Sequence, residues 1–109
     1  MPRIDEKTIV SDIKKAFNSL PCCILRKRVP YIKGDPDFTG SYRGKRIEIE
    51  VKTIGGKVSS IQAKRIREWQ ALECICGIAW SLEDAINIIW DDLLPQDKKM
   101  LAKYLPEVV

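Results

Sequence analysis

The sequence predicts an α/β domain built around a small mixed sheet. Three observations carry this reading. An apolar stripe at helical spacing opens the chain, a strictly alternating strand lies at its centre, and a continuous apolar run follows a second helical segment. With 109 residues, 45% apolar and 31% charged, the chain suits one domain over residues 1–109. Its core spans about 5–90, and a C-terminal helical extension covers 91–109.

The first helix is expected from near Asp5, with Ile9, Val10, Ile13 and Phe17 on one stripe and Leu20-Pro21 as its end. A short strand over Cys22 to Val29 follows, broken by Pro30. After the turn-forming Lys33-Gly34-Asp35-Pro36 comes a short extended piece, Asp37 to Thr39, and Gly40 to Gly44 reads as a hairpin loop. The clearest strand runs from Lys45 to Ile54 and closes at Gly55-Gly56. A second helix is expected from about Ser59 to Leu72, because Ser59 and Gln62 form a capping-box pattern. The apolar run Cys74 to Trp80 reads as a central strand covered on both faces. Ser81 and Asp84 begin a third helix reaching about Trp90, and a last amphipathic piece spans Gln96 to Leu105.

Composition excludes several chemistries. The chain has no histidine, which removes Ser-His-Asp and Cys-His catalysis, histidine-metal nucleases and H-E-x-x-H zinc sites. Any chemistry falls to carboxylates, lysine, tyrosine, cysteine or a metal held by oxygen. The spacings Cys22-Cys23 and Cys74-Ile75-Cys76 are not those of zinc sites, and both pairs lie in apolar runs as small hydrophobes. Gly55-Gly56-Lys57 lacks the following Ser or Thr and the upstream Gly of a nucleotide-binding loop. The charged start Met1 to Lys7 is unlike a signal peptide, and no segment approaches the ~20 apolar residues of a membrane span. A cytoplasmic, reduced protein with no membrane partner is the expectation.

Net charge is +4, unevenly spread. Up to Arg67 there are 16 basic and 7 acidic residues, whereas 3 basic and 8 acidic residues follow from Glu68. The first two-thirds is therefore the surface suited to a polyanion such as nucleic acid. Arg26, Lys27, Arg28 and Lys33, then Arg43, Lys45 and Arg46, then Lys57, Lys64 and Arg67 form a basic set able to bind DNA phosphates without reading sequence.

Polar groups at positions that should face inward point to a site. In Arg46 to Lys52, Ile47, Ile49 and Val51 share one strand face, and Glu48, Glu50 and Lys52 share the other. A half-exposed strand with a charged ladder has the same pattern. If Asp37 to Thr39 pairs antiparallel with this strand, however, Asp37 comes beside Glu50. Two adjacent carboxylates repel, and a divalent cation relieves that cost while gaining hard oxygen ligands. Lys52 projects on the same side to hold a water or a phosphate. At about 100° per residue, Glu6 falls at the centre of the first helix's apolar stripe, a third acid directed inward. Gln62 similarly falls among the apolar positions of the second helix, although the capping box alone would also account for it.

Taken together, Gly34-Asp35-Pro36-Asp37, Glu50-Val51-Lys52, Ser60-Ile61-Gln62 and an apolar strand ending at Trp80-Ser81 before Glu83-Asp84 resemble the VRR-NUC domain. That family belongs to the PD-(D/E)xK nuclease superfamily, with the archaeal-type Holliday junction resolvases, and the resemblance covers about Asp5 to Ile89. It implies a restriction-endonuclease-like αβββαβ core with flanking helices. It implies Asp37 and Glu50 as metal ligands helped by the Val51 carbonyl, Lys52 as the lysine of E-x-K, Gln62 as the helix glutamine, and Glu6 as the first-helix acid. Glu48 lies one strand repeat too early, and Asp35 occupies the variable position of the motif.

The expected activity is Mg2+- or Mn2+-dependent hydrolysis of DNA phosphodiesters, selective for branched structures such as junctions or flaps. Symmetric cleavage of a four-way junction needs two sites, hence a homodimer. The tail residues Leu93, Leu94, Met100, Leu101, Tyr104 and Leu105 suit either a dimer surface or packing on their own domain. A sequence-specific restriction-type endonuclease and a non-catalytic DNA-binding module are the alternative readings.

Overall fold

The computed structural model describes residues 5–29 and 32–106. Helix α1 spans Glu6–Asn18, followed by strands β1 (Cys23–Lys27), β2 (Phe38–Tyr42) and β3 (Lys45–Val51). Helix α2 (Ser60–Ala71), strand β4 (Ile75–Ala79), helix α3 (Leu82–Ile89), a 3-10 turn (Trp90–Asp92) and helix α4 (Pro95–Ala102) complete the chain. The break expected at Pro30 lies outside the described residues.

The sheet order is β1-β2-β3-β4, antiparallel through the first three strands and parallel between β3 and β4. This is an α/β arrangement on a mixed sheet, as expected. The two sheet faces differ in chemistry. Leu25, Phe38, Ile47, Ile49, Val51, Ile75 and Ala79 face the apolar core, where Ile9, Ile13 and Phe17 of α1 and Ala85, Ile86 and Ile89 of α3 complete one cluster. The opposite face carries Arg26, Thr39, Glu48 and Cys76 in one cross-strand row, and Glu50 with Ile78 in the next. Helix α2 covers that polar face through Gln62 against Glu50 and through Trp69 beneath Arg46.

Local chemistry explains the helix limits. The Asp5 carboxylate accepts from the Thr8 N–H at 2.9 Å to cap α1. At α2 both halves of the capping box form, with Ser59 accepting from the Gln62 N–H and Gln62 accepting from the Ser59 N–H. Ser81 caps α3 by accepting from the Asp84 N–H at 3.1 Å.

Two expectations change. Gly40 to Tyr42 belong to β2 rather than to a hairpin loop, and the turn contains only Arg43 and Gly44, with φ of 49° and 86°. Both positive φ values are those of a tight two-residue hairpin. Gly40 instead marks a close approach, since a Cβ there would lie 2.0 Å from the Ile24 carbonyl oxygen. Strand β4 is an edge strand of the described sheet, not a central one. Its apolar run reflects cover by α3 on one face and α2 on the other, which hydropathy cannot distinguish from lateral neighbours.

The C-terminal extension packs on its own domain. Leu93 and Leu101 are buried in the core, Tyr104 and Leu105 pack against it, and Leu94 and Met100 stay partly exposed. Helix α4 is pinned to the hairpin by the Tyr42 hydroxyl, which donates to the buried Asp97 carboxylate and accepts from the Leu94 N–H at 3.0 Å.

Candidate active site

The site forms at the open end of the β2-β3 hairpin. The pairing Phe38↔Ile49, continued one residue outward, sets Asp37 opposite Glu50. Both carboxylates are fixed by backbone and side-chain donors. Asp37 accepts from the Val51 N–H at 2.9 Å, and its own N–H donates to Glu50 Oε1 at 3.2 Å. The carbonyl and N–H of a strand residue leave the same edge, so the Val51 carbonyl also projects toward Asp37.

Glu50 is held from two further directions. Gln62 Nε2 donates to Glu50 Oε2 at 2.9 Å, while the Lys52 ammonium lies 3.4 Å from the same oxygen. Gln62 therefore serves the capping box through its oxygen and the site through its nitrogen. Side-chain exposure is only 5% for Glu50 and 18% for Lys52, so this is an inward-facing cluster rather than a solvated charge ladder. Burial, followed by the neighbouring Asp37, pushes the Glu50 carboxyl up to about 7, against the opposing influence of Lys52.

Gly34 lets the loop before Asp37 reach α2. Its φ is +85°, and a Cβ there would stand 2.6 Å from Ile61 Cγ1. Only glycine combines that backbone with that approach. The opposite side of the loop is fastened by Arg28, whose Nε donates to the Pro36 carbonyl at 3.0 Å and whose N–H donates to the Asp37 carbonyl at 2.7 Å.

Glu6 does not join the cluster. It is exposed in the first turn of α1, and among the described residues no group of three or more acids or cysteines is placed to hold a metal. The helical wheel gives the correct direction for Ile9 and Ile13, but at the first turn the helix has run past the surface that would cover Glu6.

The basic set also divides. Arg28 pairs with Glu48 and lies 3.7 Å from Asp35, with 11% of its side chain exposed, so it is a structural cation and not a free phosphate ligand. Arg43 pairs with Asp97, Lys45 with Asp92, and Arg46 with Glu48 while lying over Trp69 at 4.2 Å. Arg43 and Lys45 are at the closed end of the hairpin, about 17 Å along β3 from Glu50. Arg26, Lys27, Lys33, Lys57, Lys64 and Arg67 are exposed and form no ion pair among the described residues.

Glu48 is the residue that sequence reasoning passed over. It is fully buried and accepts from Arg28, Thr39 and Arg46. The available signal was Thr39 and Glu48 meeting on one face, with an arginine at the end of the next strand.

The donor set suits a hard divalent cation. Two carboxylates and a backbone carbonyl offer only oxygen, and Mg2+ is commonly held by one or two carboxylates, with waters and substrate phosphate filling the remaining positions. The raised Glu50 carboxyl beside Asp37 is the electrostatic condition that such a cation relieves. Compared with known proteins, the chain matches no family model and no curated protein.

Proposed function

We propose that this chain is an Mg2+- or Mn2+-dependent DNA endonuclease of the PD-(D/E)xK type, a single-domain relative of VRR-NUC nucleases with a restriction-endonuclease-like αβββαβ core. One observation carries the reading. Asp37, Glu50, Lys52 and Gln62, drawn from a loop, a strand and a helix, meet through hydrogen bonds and an ion pair on the polar face of the sheet. The observed order of helices and strands is compatible with that core.

Asp37 and Glu50, with the Val51 carbonyl, would hold the ion, which supplies Lewis-acid polarisation of the scissile phosphate and acidifies a water. Lys52 orients the attacking water by hydrogen bonding and offsets charge developing on the phosphoryl oxygens. Gln62 fixes the Glu50 carboxylate through Oε2, in the orientation from which it would hold the ion. Exposed Lys33 and Lys57, on the loops leading into Asp37 and out of Lys52, supply phosphate contacts beside the site. Branched DNA is the proposed substrate, and resolution of a four-way junction would require a homodimer.

The test is a panel of junction, flap, splayed-arm and duplex DNAs with Mn2+, comparing the wild type with Asp37→Ala. Metal-dependent cleavage that Asp37→Ala abolishes is the expected result. DNA retention without metal-dependent nicking would overturn the nuclease reading, and cleavage of one defined duplex sequence would favour a restriction-type enzyme.

A further inference from the structure

The outer edge of β1 is finished by a side chain instead of a strand. The Arg28 N–H bonds to Asp37, so alternate residues of β1, Leu25 among them, turn their backbone groups outward. There the Leu25 N–H donates to Asn18 Oδ1 at 3.0 Å. Asn18 Nδ2 donates in turn to the Leu25 carbonyl at 3.0 Å and to the Lys14 carbonyl at 2.8 Å. The Asn18 amide thereby closes this edge to a further strand at Leu25 and ties the last turn of α1 to the sheet. Between the two elements lies a cleft of about 510 Å3, lined by Ser11, Lys14, Lys15, Asn18, Leu25 and Arg26.

The charge of the cleft has one sign. At about 100° per residue from Lys7, Ser11, Lys14, Lys15 and Asn18 fall in one sector about 100° wide. The buried Ile9, Ile13, Ala16 and Phe17 occupy the other side, and Asp12 falls outside the sector. Lys14 has no acid three or four residues away, and Asp12, three before Lys15, forms no ion pair with it. Lys14, Lys15 and Arg26 are exposed, and none of them takes part in an ion pair among the described residues. A solvated surface normally intersperses both signs. Helix α1 also exposes no large apolar side chain, so it has nothing to insert into a membrane.

We infer that the cleft between α1 and β1 is a second site for the DNA backbone, in which Lys14, Lys15 and Arg26 hold phosphates and the Ser11 hydroxyl donates to them. Arg26 pairs with Thr39, two residues along β2 from Asp37, so about 7 Å of strand and one interstrand spacing separate the cleft from the candidate active site. From Lys7 to Lys14 the helix rises about 10 Å, the axial length of about three nucleotides of one DNA strand. Such contacts position DNA without reading its sequence. The inference rests on the nuclease reading for the identity of the polyanion, and it adds a holding surface on α1 that includes none of Asp37, Glu50 and Lys52.

The experiment measures binding of a short labelled DNA duplex to the full-length chain by fluorescence anisotropy, in EDTA and over a range of salt, so that neither metal nor cleavage contributes. The double variant Lys14→Ala/Lys15→Ala is compared with Lys99→Ala/Lys103→Ala, which removes the same charge from α4 and its C-terminal cap. Ser11→Glu brings an acid into the cleft, and circular dichroism checks the fold of each variant. Loss of Lys14 and Lys15 should weaken binding alike for DNAs of unrelated sequence and reduce the salt slope by about 2. Ser11→Glu should also weaken binding, whereas the Lys99 and Lys103 variant should keep the wild-type slope. An unchanged slope in Lys14→Ala/Lys15→Ala would overturn the assignment. Equal losses in the two double variants would overturn it too, by showing a response to net charge alone. Binding of anionic phospholipid vesicles in place of DNA, lost in Lys14→Ala/Lys15→Ala, would give the cleft to a membrane instead. DNA binding that depends on Lys14 and Lys15 without Mn2+-dependent cleavage refutes the nuclease reading alone. Cleavage by a wild type whose DNA binding ignores both lysines refutes this inference alone.

Discussion

Arg28 and Glu48 form an ion pair on the polar face of the sheet, one cross-strand row away from Asp37 and Glu50, with the Glu48 side chain at 0% exposure. Arg28 Nε also donates to the Pro36 carbonyl and the Arg28 backbone N–H to the Asp37 carbonyl, so the guanidinium neutralises a buried acid and ties down the residue before a proposed metal ligand. Replacing it with methionine leaves that acid short of its main counter-charge, at a cost of about 3–5 kcal/mol. Urea unfolding of Arg28→Met checks this, and adding Glu48→Gln should restore part of the loss. No measurable change in Arg28→Met would show that Arg46 and Thr39 suffice for Glu48.

The raised Glu50 carboxyl would couple pH to the proposed metal binding. Its folded value of about 7 exceeds the ordinary 4.5. Without metal, its contribution to stability is therefore fully present below about pH 4.5 and is lost as pH rises through 7. A bound cation would reverse the trend, because it would favour the ionised form and displace the proton. Thermal melts with and without Mn2+ should show a metal-induced gain that grows from about pH 5 to about pH 8. Glu50→Gln should flatten that dependence.

Gly34→Ala tests the packing that joins loop to helix. The added methyl enters at 2.6 Å from Ile61 Cγ1 on a backbone with φ of +85°. A destabilisation of about 1–3 kcal/mol is expected, accompanied by weaker metal binding as the Asp37 loop lifts from α2. Calorimetry on the folded variant separates the two effects. Metal affinity equal to wild type would show that the loop is positioned by Arg28 alone.

Exposed and paired cations should respond differently to salt. Lys33→Ala and Lys57→Ala should each weaken DNA binding across sequences and reduce the salt slope by about 1. Lys45→Ala should leave the slope unchanged, since Lys45 pairs with Asp92 at the far end of the hairpin. A loss of slope in Lys45→Ala would extend the DNA path along the whole hairpin.

The Asp37-Glu50 pairing was legible because strand alternation and a short antiparallel partner leave one register that buries Ile47 and Ile49. Gln62 was legible because a capping residue on the apolar side of a helix has a second atom to use. Glu6 was misread, since a helical wheel gives direction but not whether another element extends far enough to cover the first turn. Glu48 was missed because alternation treats it and Glu50 alike. What separates them is the cross-sheet neighbour, Arg28 for one and Gln62 for the other, and neither adjoins its acid in sequence. The basic set was legible as charge but not as partners, because Asp92 and Asp97 are nearly fifty residues or more from the cations they meet.

The two-residue turn at Arg43-Gly44 acts as the alignment gauge of a machine whose working parts are at the other end of the hairpin. Loop length and turn type help fix which residues of β2 and β3 face each other, so that corner sets the offset at which Asp37 meets Glu50. The meeting of Asp37 and Glu50 thus depends on a peptide corner that touches neither.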